Sequence, residues 1–435
     1  MFYTSESEYR ISIQELPTIS NAPIVMKSHS TLILLGIAVS FAVQAAVVQS
    51  GPGGIVFVDG KPVFPIGFTE GPPIGAKTPE GADAYAELAS NGTVFHRTGP
   101  TPHNWGPEAE ASLDRILQRS AETRFFSAIT MPDLQAPGDS AKETELRRVV
   151  NKYKSHPGLF FWKAADEPEW GQVPVERVQR FYDIVHALDP NHAVWLTQAP
   201  RGTIESLKRY VSAYDVGALD IYPVSYPPGI HGHLPNQELS VVGDYTRWMR
   251  QVDKPDQPLI MALQICWSGV TKPGKTLRMP TFPQERYMSY QAIIDGARGL
   301  IFFGGDLAPC QNERDRSLGW NWTFYRRVLK PVLDELSPSG PLYPALVAPD
   351  SDLPVRLEGA SDLEFRVRET QDYLYLLAAK REGATVQVKF SALPKGIAAG
   401  EVLFEEPRKV MVTDGTLADW FGPNEVHIYR FRKNL

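Results

Sequence analysis

Two patterns divide the chain: a long stretch in which strand-like and helix-like segments alternate, and a shorter stretch of strands alone. Between Phe64 and residue 335, eight short apolar runs are each followed by a segment with apolar residues at three-to-four spacing. Eight β-α units in series, with no extra strand between them, predict a closed (β/α)8 barrel (TIM barrel) rather than an open sheet. From Tyr343, short strands separated by Gly, Pro and Asp turns predict an all-β domain of roughly ninety residues. The sequence therefore predicts an α/β protein, with a barrel over 55–340 and a small antiparallel β-sandwich domain over 343–435.

The first 46 residues have the pattern of an export signal preceded by an extension. Residues 1–25 are polar and without periodicity, whereas Met26-Lys27 leads into an apolar run, Leu32 to Val43, that ends in small residues. A basic start, a short apolar core and small final residues are typical of a signal peptide, and the run is too short for a membrane-spanning helix. We interpret 1–25 as an upstream extension and 26–46 as a signal peptide cleaved after Ala45 or Ala46, which predicts a secreted or periplasmic protein. A buried N-terminal helix is the alternative.

A hairpin is predicted ahead of the barrel. Ile55 to Val63 consists of two apolar runs around Asp59-Gly60, a dipeptide typical of two-residue hairpin turns, and we expect it to close the bottom of the barrel. The barrel strands are predicted at 64–69, 93–97, 125–130, 159–164, 193–198, 216–222, 259–264 and 299–304, and the helices at about 80–90, 108–123, 141–154, 174–188, 203–213, 238–252, 283–297 and 320–335. The strands of the second domain are predicted at 355–357, 363–368, 373–379, 385–390, 401–404, 409–413 and 426–432.

Composition limits the partners of the chain. The formal net charge is -6 and no long charge run is present, which argues against nucleic acid or an anionic membrane surface as the main partner. Aromatic residues make up 11%, including nine Trp, which suits a surface that stacks on sugars or other flat ligands. No metal-ligand spacing and no Gly-rich nucleotide loop occur, so we expect no metal and no cofactor.

Cys266 and Cys310 each follow a predicted strand and predict one disulfide, with two free thiols as the alternative.

The segment from Leu159 to Trp170, L-F-F-W-K-A-A-D-E-P-E-W, carries the strongest chemical signal. An apolar, aromatic run of strand length ends at Asp166 and Glu167, directly before Pro168. Charged side chains at the C-terminal end of a barrel strand lie at the rim, where barrel enzymes hold their catalytic residues. Pro168 favours an extended conformation for Glu167, so we expect the backbone to direct this carboxylate. The alternative is that both carboxylates begin a solvated loop or cap the following helix.

Polar side chains follow the other predicted barrel strands as well. They are Glu70, His96 with Arg97, Asp133, Gln198, Asp220 with Tyr222, Gln264 with Trp267, and Asp306, whereas Glu285 and Glu313 are interpreted as surface. Carboxylates near a carboxamide, an Arg, a Tyr and Trp suit glycosidic bond cleavage, in which one carboxylic acid protonates the leaving oxygen and a second carboxylate attacks or activates water. Ester or peptide hydrolysis would need a Ser-His or Cys-His pair, and no rim strand offers a Gly-x-Ser-x-Gly elbow.

Several motifs resemble the large clan of (β/α)8 glycoside hydrolases whose catalytic glutamates lie on strands four and seven. They are A-D-E-P on the fourth strand, D-I-Y-P (Asp220 to Pro223) on the sixth, G-A-R-G-L-I-F-F (Gly296 to Phe303) entering the eighth, and the lead-in F-V-D-G-K-P-V-F-P-I-G-F (Phe57 to Phe68). The resemblance covers residues 55–335. It implies Glu167 as general acid/base, Arg97 and Tyr222 as residues that shape the site, and Trp267 as a sugar platform.

The chain departs from this clan at two positions. Asp166 stands where the clan usually has Asn, and the seventh strand ends in Gln264 where the clan places its nucleophilic glutamate. A carboxamide can hold a sugar hydroxyl or a water but cannot act as a carboxylate nucleophile. The second carboxylate must then be Asp166, Asp220 or Glu70, in that order of preference.

We therefore expect an exported glycosidase that acts on a carbohydrate. The catalytic candidates are Glu167, Asp166 and Asp220, and the substrate-binding candidates are Arg97, His96, Glu70, Tyr222, Gln264 and Trp267. Asp220 is predicted to lie two strands from Glu167. This is far enough for their carboxyl groups to be separated by roughly 6.5–9.5 Å, the distance that leaves room for a water between them. This favours single displacement, with Glu167 as acid and Asp220 or Asp166 as base. The alternative is a glycan-binding protein on a glycosidase scaffold that has lost its nucleophile, and the number of carboxylates that converge on Glu167 discriminates between the two.

Overall fold

A computed structural model describes most of the chain beyond residue 45. The described residues are 46–99, 105–131, 134–135, 137–226, 232–265, 276–277, 279–304 and 312–433. Residues 1–45, Asp133, Trp267, Asp306 and both members of the predicted Cys266–Cys310 disulfide lie outside these ranges. The barrel and the β domain that follows it belong to one compact unit.

Eight parallel strands close into a barrel. Each strand pairs with its neighbours in chain order, and the eighth pairs with the first. They are Ile66–Phe68, Phe95–Thr98, Phe126–Thr130, Leu159–Asp166, Val194–Gln198, Val216–Ile221, Leu259–Gln264 and Gly299–Phe303, here termed barrel strands 1 to 8. The predicted (β/α)8 barrel is confirmed.

Helices surround the barrel. They are Ala84–Ser90, Pro107–Thr123, Ser140–Tyr153, Val175–Leu188, Ile204–Lys208, Val241–Arg250 and Phe282–Ile294, followed after strand 8 by Glu313–Leu318, Trp322–Phe324, Lys330–Leu336 and Tyr343–Leu346. The predicted last helix is interrupted by a π-helical turn, Tyr325–Leu329, which ends two residues before Pro331. Proline has no N–H to donate, which explains the altered hydrogen-bond pattern there. No helix of the described ranges is long and apolar enough to cross a membrane.

The predicted hairpin closes the N-terminal end of the barrel. Ile55–Val58 and Lys61–Val63 pair antiparallel, and Val48–Gly51 adds a third strand. Asp59 and Gly60 both have positive φ, as this turn type requires. Valines of this small sheet belong to the same apolar cluster as inward-facing barrel residues; members of the cluster include Val48, Val56, Phe95, Phe161 and Trp195. Because this end of the barrel is filled, we expect the chemistry at the C-terminal end.

The C-terminal domain is an eight-stranded antiparallel sheet that curls into a sandwich-like shape, as predicted. Its strands are Arg356–Glu358, Leu363–Glu369, Tyr373–Lys380, Val386–Ser391, Ala399–Leu403, Lys409–Thr413, Thr416–Phe421 and Val426–Arg432. The sequence analysis missed Thr416–Phe421, which pairs with Val386–Ser391. An Asp414-Gly415 turn, the signal of a tight hairpin, joins the missed strand to the one before it.

The β domain packs on the helix Phe282–Ile294 and extends the apolar core of the barrel. Tyr375, Leu377 and Ile428 of the domain belong to the same buried cluster as the apolar residues of this helix. The helix is consequently buried on almost every face, and even Glu285, which the sequence placed on the surface, has no exposed area. That placement of Glu285 was wrong because the sequence does not reveal what covers the outer face of a helix.

Candidate active site

Barrel strand 4 contains two irregularities that decide which of its side chains reach the barrel mouth. Its register shifts against strand 3, and it shifts again against strand 5 between Lys163 and Asp166. In the second shift, the partners of Lys163 and Asp166 are Trp195 and Thr197, so strand 4 has one extra residue. Residues three apart on a regular strand point to opposite faces. The extra residue therefore brings Lys163 and Asp166 to the same side.

Asp166 is held as an anion by two cations. Lys163 Nζ donates a hydrogen bond to Asp166 Oδ1 at 3.0 Å, and Arg97 Nη1 lies 3.7 Å from Asp166 Oδ2. Burial opposes ionisation, but the charges of Lys163 and Arg97 outweigh it and hold the pKa of Asp166 below its ordinary value. The Asp166 side chain remains 53% exposed. It is therefore an ionised carboxylate that solvent or a ligand can reach.

Glu167 has a left-handed backbone conformation, with φ of +47°. The expectation that Pro168 would keep it extended is wrong. The Glu167 N–H donates to the Thr197 carbonyl of strand 5 at 2.8 Å, and the Glu167 carbonyl accepts from Gly171 N at 2.9 Å. These bonds hold the residue at the end of strand 4 while the chain turns. A non-glycine residue in this conformation costs on the order of 1–3 kcal/mol, and such strain is concentrated at functional sites.

Glu167 and Asp220 form a hydrogen-bonded carboxyl pair. Asp220 lies on strand 6 and is 6% exposed. Burial, followed by the charge of Asp166, raises the pKa of Glu167. Burial also raises the pKa of Asp220 well above its ordinary value, and the charges of Glu167 and Asp166 add to this effect. Two carboxyl groups in such contact share a proton. The pair therefore keeps one proton to a higher pH than an isolated carboxyl group would.

This contact overturns the expectation that Glu167 and Asp220 stand a water's width apart. Strand 5 alone separates strands 4 and 6 in the barrel, and inward-facing side chains at the barrel mouth converge on the axis. Asp220 is therefore a partner of Glu167 rather than a carboxylate across a gap from it. Asp166 is the ionised carboxylate that remains beside the pair.

Tyr222 and Arg201 lie close to the carboxyl pair. Tyr222 is buried, hydrogen-bonds to Asp220, and stacks on Phe303 with ring centroids 4.7 Å apart. Arg201 is one of the cations whose charge partly offsets the rise in the pKa of Glu167. The sequence analysis missed both Arg201 and Lys163. Lys163 had a visible signal, since a lysine inside an otherwise apolar barrel strand requires a charged partner.

Gln264 ends strand 7 with its amide bonded to the backbone. Its Oε1 accepts from Val224 N at 2.8 Å, its Nε2 donates to the Val224 carbonyl at 2.7 Å, and the side chain is fully buried. A carboxamide has both a donor and an acceptor and can make this two-point contact, whereas a carboxylate cannot. Gln264 therefore ties strand 7 to the segment that follows Tyr222, which explains a carboxamide at this position.

His96 points away from the barrel mouth, so its predicted place in the substrate site is wrong. Its Nε2 lies 3.3 Å from Ser120 Oγ of the helix Pro107–Thr123, and its ring packs on Phe125 at 4.7 Å between centroids. Successive strand residues alternate in direction, and Arg97, its neighbour, is the one that reaches Asp166. Burial lowers the pKa of His96 to about 4, so the ring is neutral.

Glu70 is exposed just beyond strand 1, and no contact in the described ranges joins it to Glu167 or Asp220. The predicted sugar platform Trp267 falls outside those ranges. In the part of the chain that the structure describes, no three His, Cys, Asp or Glu side chains come together as a metal-ligand set.

Glycoside hydrolases are among the solved structures that are similar to this chain. One, described simply as a glycoside hydrolase, is 13% identical and aligns over 89% of this chain and 97% of its own, with a TM-score of 0.60. A glycoside hydrolase family 5 protein from Bacteroides vulgatus is 13% identical over 88% of this chain and 93% of its own, with a TM-score of 0.61. An α-L-arabinofuranosidase from Thermotoga maritima is 10% identical and aligns over 90% of this chain and 100% of its own, with a TM-score of 0.53.

These similarities to solved structures are similarities of fold, at sequence identities of 10–13%. No protein-family model and no curated protein matches the sequence. The structural matches extend over both the barrel and the β domain, since each covers close to nine tenths of this chain. The resemblance stated from the sequence motifs is confirmed at the level of fold: the chain has a (β/α)8 barrel followed by a β domain, as these glycoside hydrolases do.

Proposed function

We propose that the protein is a glycoside hydrolase that cleaves glycosidic bonds in a poly- or oligosaccharide. The observation that carries this proposal is the proton-sharing pair Glu167–Asp220 next to the ionised Asp166. A carboxyl group that keeps its proton to a higher pH than usual and a carboxylate that loses its proton at a lower pH than usual are the two groups this hydrolysis requires. The glycosidase scaffold supports the same conclusion.

In the proposed reaction, Glu167 donates its proton to the glycosidic oxygen while the bond to the anomeric carbon breaks. Asp220 shares that proton in the resting site and keeps it available as the pH rises. Asp166 accepts a proton from the water whose oxygen bonds to the anomeric carbon, and its charge stabilises the positive charge that develops on the sugar ring. We infer a single displacement with Asp166 as the base rather than a double displacement through strand 7, because strand 7 ends in the carboxamide Gln264, which cannot act as a carboxylate nucleophile.

NMR of the first-formed product tests this mechanism. We expect the anomer of inverted configuration. A product of retained configuration would contradict single displacement, while hydrolysis itself would still support a glycosidase. Turnover is best sought on a panel of unactivated oligosaccharides, since the sugar is not specified by the described residues.

We also propose that the protein acts outside the cytoplasm, on the basis of the signal pattern at 26–46. N-terminal sequencing of the protein recovered from the periplasm or medium of its host should find a chain that starts after Ala45 or Ala46. Recovery of the intact N-terminus from the cytoplasm would contradict this localisation.

A second candidate is a glycan-binding protein on the same scaffold, and the backbone-bonded Gln264 in place of a nucleophile favours it. Isothermal titration calorimetry and product analysis on one panel of oligosaccharides separate the candidates. Binding without any product over prolonged incubation would favour the binding protein. Product formation that disappears in Glu167→Gln would favour the enzyme.

A further inference from the structure

Lys163 is a buried cation inside the barrel, below the carboxyl groups of the mouth. Its side chain is 1% exposed, and its Nζ lies 5.0 Å from the ring centroid of Trp195, a member of the apolar cluster that fills the barrel. Transferring a charge out of water costs several kcal/mol unless the charge is paired and hydrogen-bonded. A lysine at this position therefore requires a compensating set of contacts.

The ammonium group has three acceptors, which matches its three N–H donors. They are Asp166 Oδ1 at 3.0 Å, the Ala165 carbonyl at 3.2 Å and the Ala164 carbonyl at 3.3 Å. Ala164 and Ala165 form the bulge of strand 4, where the ladder with strand 5 is interrupted. Lys163 thus satisfies two backbone carbonyls of the bulge, and its third hydrogen bond is directed at Asp166.

Lys163 and Arg97 both act on Asp166, but under different conditions. Arg97 is 25% exposed and 3.7 Å from Asp166, whereas Lys163 is buried and 3.0 Å from it. Water and salt weaken the attraction of an exposed charge much more than that of a buried one. Consistent with this, the charge of Lys163 has a larger influence on the pKa of Asp166 than the charge of Arg97.

We propose that Lys163 is a positioning residue that keeps Asp166 ionised and thereby leaves the only proton of the three carboxyl groups on the Glu167–Asp220 pair. The inference rests on, and deepens, the proposed glycosidase function. Without the Lys163 charge, Asp166 faces the partly negative pair with Arg97 as its one remaining counter-ion among the described residues. Asp166 then binds a proton at higher pH, and the group that would accept the proton of the water is lost.

A substrate-free NMR titration tests this role directly. The carboxyl ¹³C resonance of Asp166 is followed against pH in the wild type, Lys163→Met and Lys163→Gln. Gln can still donate to the bulge carbonyls but has no charge, so it separates the charge of Lys163 from its support of the backbone. We expect the Asp166 midpoint to rise by about one to two pH units in both variants. Arg97→Met is the matched comparison and should show a smaller rise.

An unchanged Asp166 midpoint in a folded Lys163→Gln or Lys163→Met protein would overturn the proposal. Should neither variant fold, the wild-type titration decides alone: an Asp166 midpoint at or above the ordinary value of about 3.9 would also overturn it. Activity provides a second readout. The acidic limb of the kcat/KM profile should move to higher pH in Lys163→Gln, with a fall in kcat at low pH. If the wild type hydrolyses no glycoside, the proposed function fails, whereas the titration still tests the role of Lys163.

Discussion

Glu167 at the end of barrel strand 4 and Asp220 on strand 6 are joined by a hydrogen bond between their carboxyl groups. Two ionised carboxylates in contact would repel each other, so this arrangement requires a shared proton. Asp166, the residue before Glu167, is instead stabilised as an anion by Lys163 and Arg97. The barrel mouth thus combines carboxyl groups with opposite protonation states.

Glu167→Gln should lower hydrolysis of glycosides with poor leaving groups by about 10²- to 10⁴-fold, because an amide of the same shape cannot supply the proton. Far-UV circular dichroism and the unfolding temperature should stay near the wild-type values. Aryl glycosides with activated leaving groups serve as the control, since they need little protonation and should lose less rate. Near-normal turnover of an unactivated substrate would remove Glu167 from this role.

Asp220→Asn should move the basic limb of the kcat/KM profile to lower pH. In the wild type, the pKa of both carboxyl groups is raised, so the pair loses its last proton at a higher pH than an isolated carboxyl group would. With Asn, Glu167 no longer has a second acid group with which to share the proton. Tyr222→Phe is the control and should move the basic limb to higher pH, because the Tyr222 hydrogen bond that it removes lowers the pKa of Asp220. A basic limb at the same pH in wild type and Asp220→Asn would contradict the shared proton.

Glu285→Gln should stabilise the protein at alkaline pH. Glu285 is fully buried, neither of its carboxyl oxygens has a hydrogen-bond partner within the described ranges, and burial raises its pKa well above the ordinary value. Since the pKa is higher in the folded than in the unfolded chain, the wild type loses stability as the pH rises above about 4.3. Urea unfolding at pH 8 should show a gain of about 1–3 kcal/mol for the variant, with little difference at pH 4.

Glu313→Gln is the matched control for that comparison, because the Glu313 side chain is 91% exposed and should change stability little at either pH. An equal effect of Glu285→Gln at pH 4 and pH 8 would contradict the prediction, because it would show that the pKa of Glu285 is the same in the folded and the unfolded chain.

Gln264→Glu should destabilise the fold by about 1–3 kcal/mol and reduce activity. The change removes the donor to the Val224 carbonyl, now 2.7 Å from Nε2, and places a carboxylate oxygen against that carbonyl. Thermal unfolding and turnover of one substrate measure the two effects. A gain in activity would instead indicate a retaining site that lost its nucleophile, and single displacement would have to be abandoned.

Ending the chain at residue 340, without the β domain, should yield aggregated protein. The outer face of the helix Phe282–Ile294 is covered by the domain, and Leu377 and Ile428 share its buried cluster. Arg247 Nη1, on the helix Val241–Arg250, also lies 2.8 Å from Asp295 and 2.5 Å from Glu364 of the domain. Size-exclusion chromatography with circular dichroism decides this: a monodisperse, helical barrel would show that the domain is dispensable for folding.

Local patterns were sufficient for most of the architecture. Strand and helix periodicities, the Asp59-Gly60 turn and the carboxylates after strand 4 are properties of neighbouring residues, and the structure has the barrel, the hairpin and the rim where these patterns predicted them. The strand Thr416–Phe421 was missed although its Asp-Gly turn is a local signal too. His96 and Glu285 were misplaced because the environment of a side chain depends on elements that are distant in sequence.

The sequence by itself determined that Asp166 and Glu167 end a strand of a (β/α)8 barrel, since strand length and composition decide where a buried strand stops. Only the tertiary structure decided which carboxyl group is protonated. A pKa depends on burial and on the distances to other charges, and here those distances are set by one extra residue in strand 4 and by the inward direction of Asp220. Neither feature has a signature in the order of the residues, because a bulge and the convergence of two strands arise only when the barrel closes.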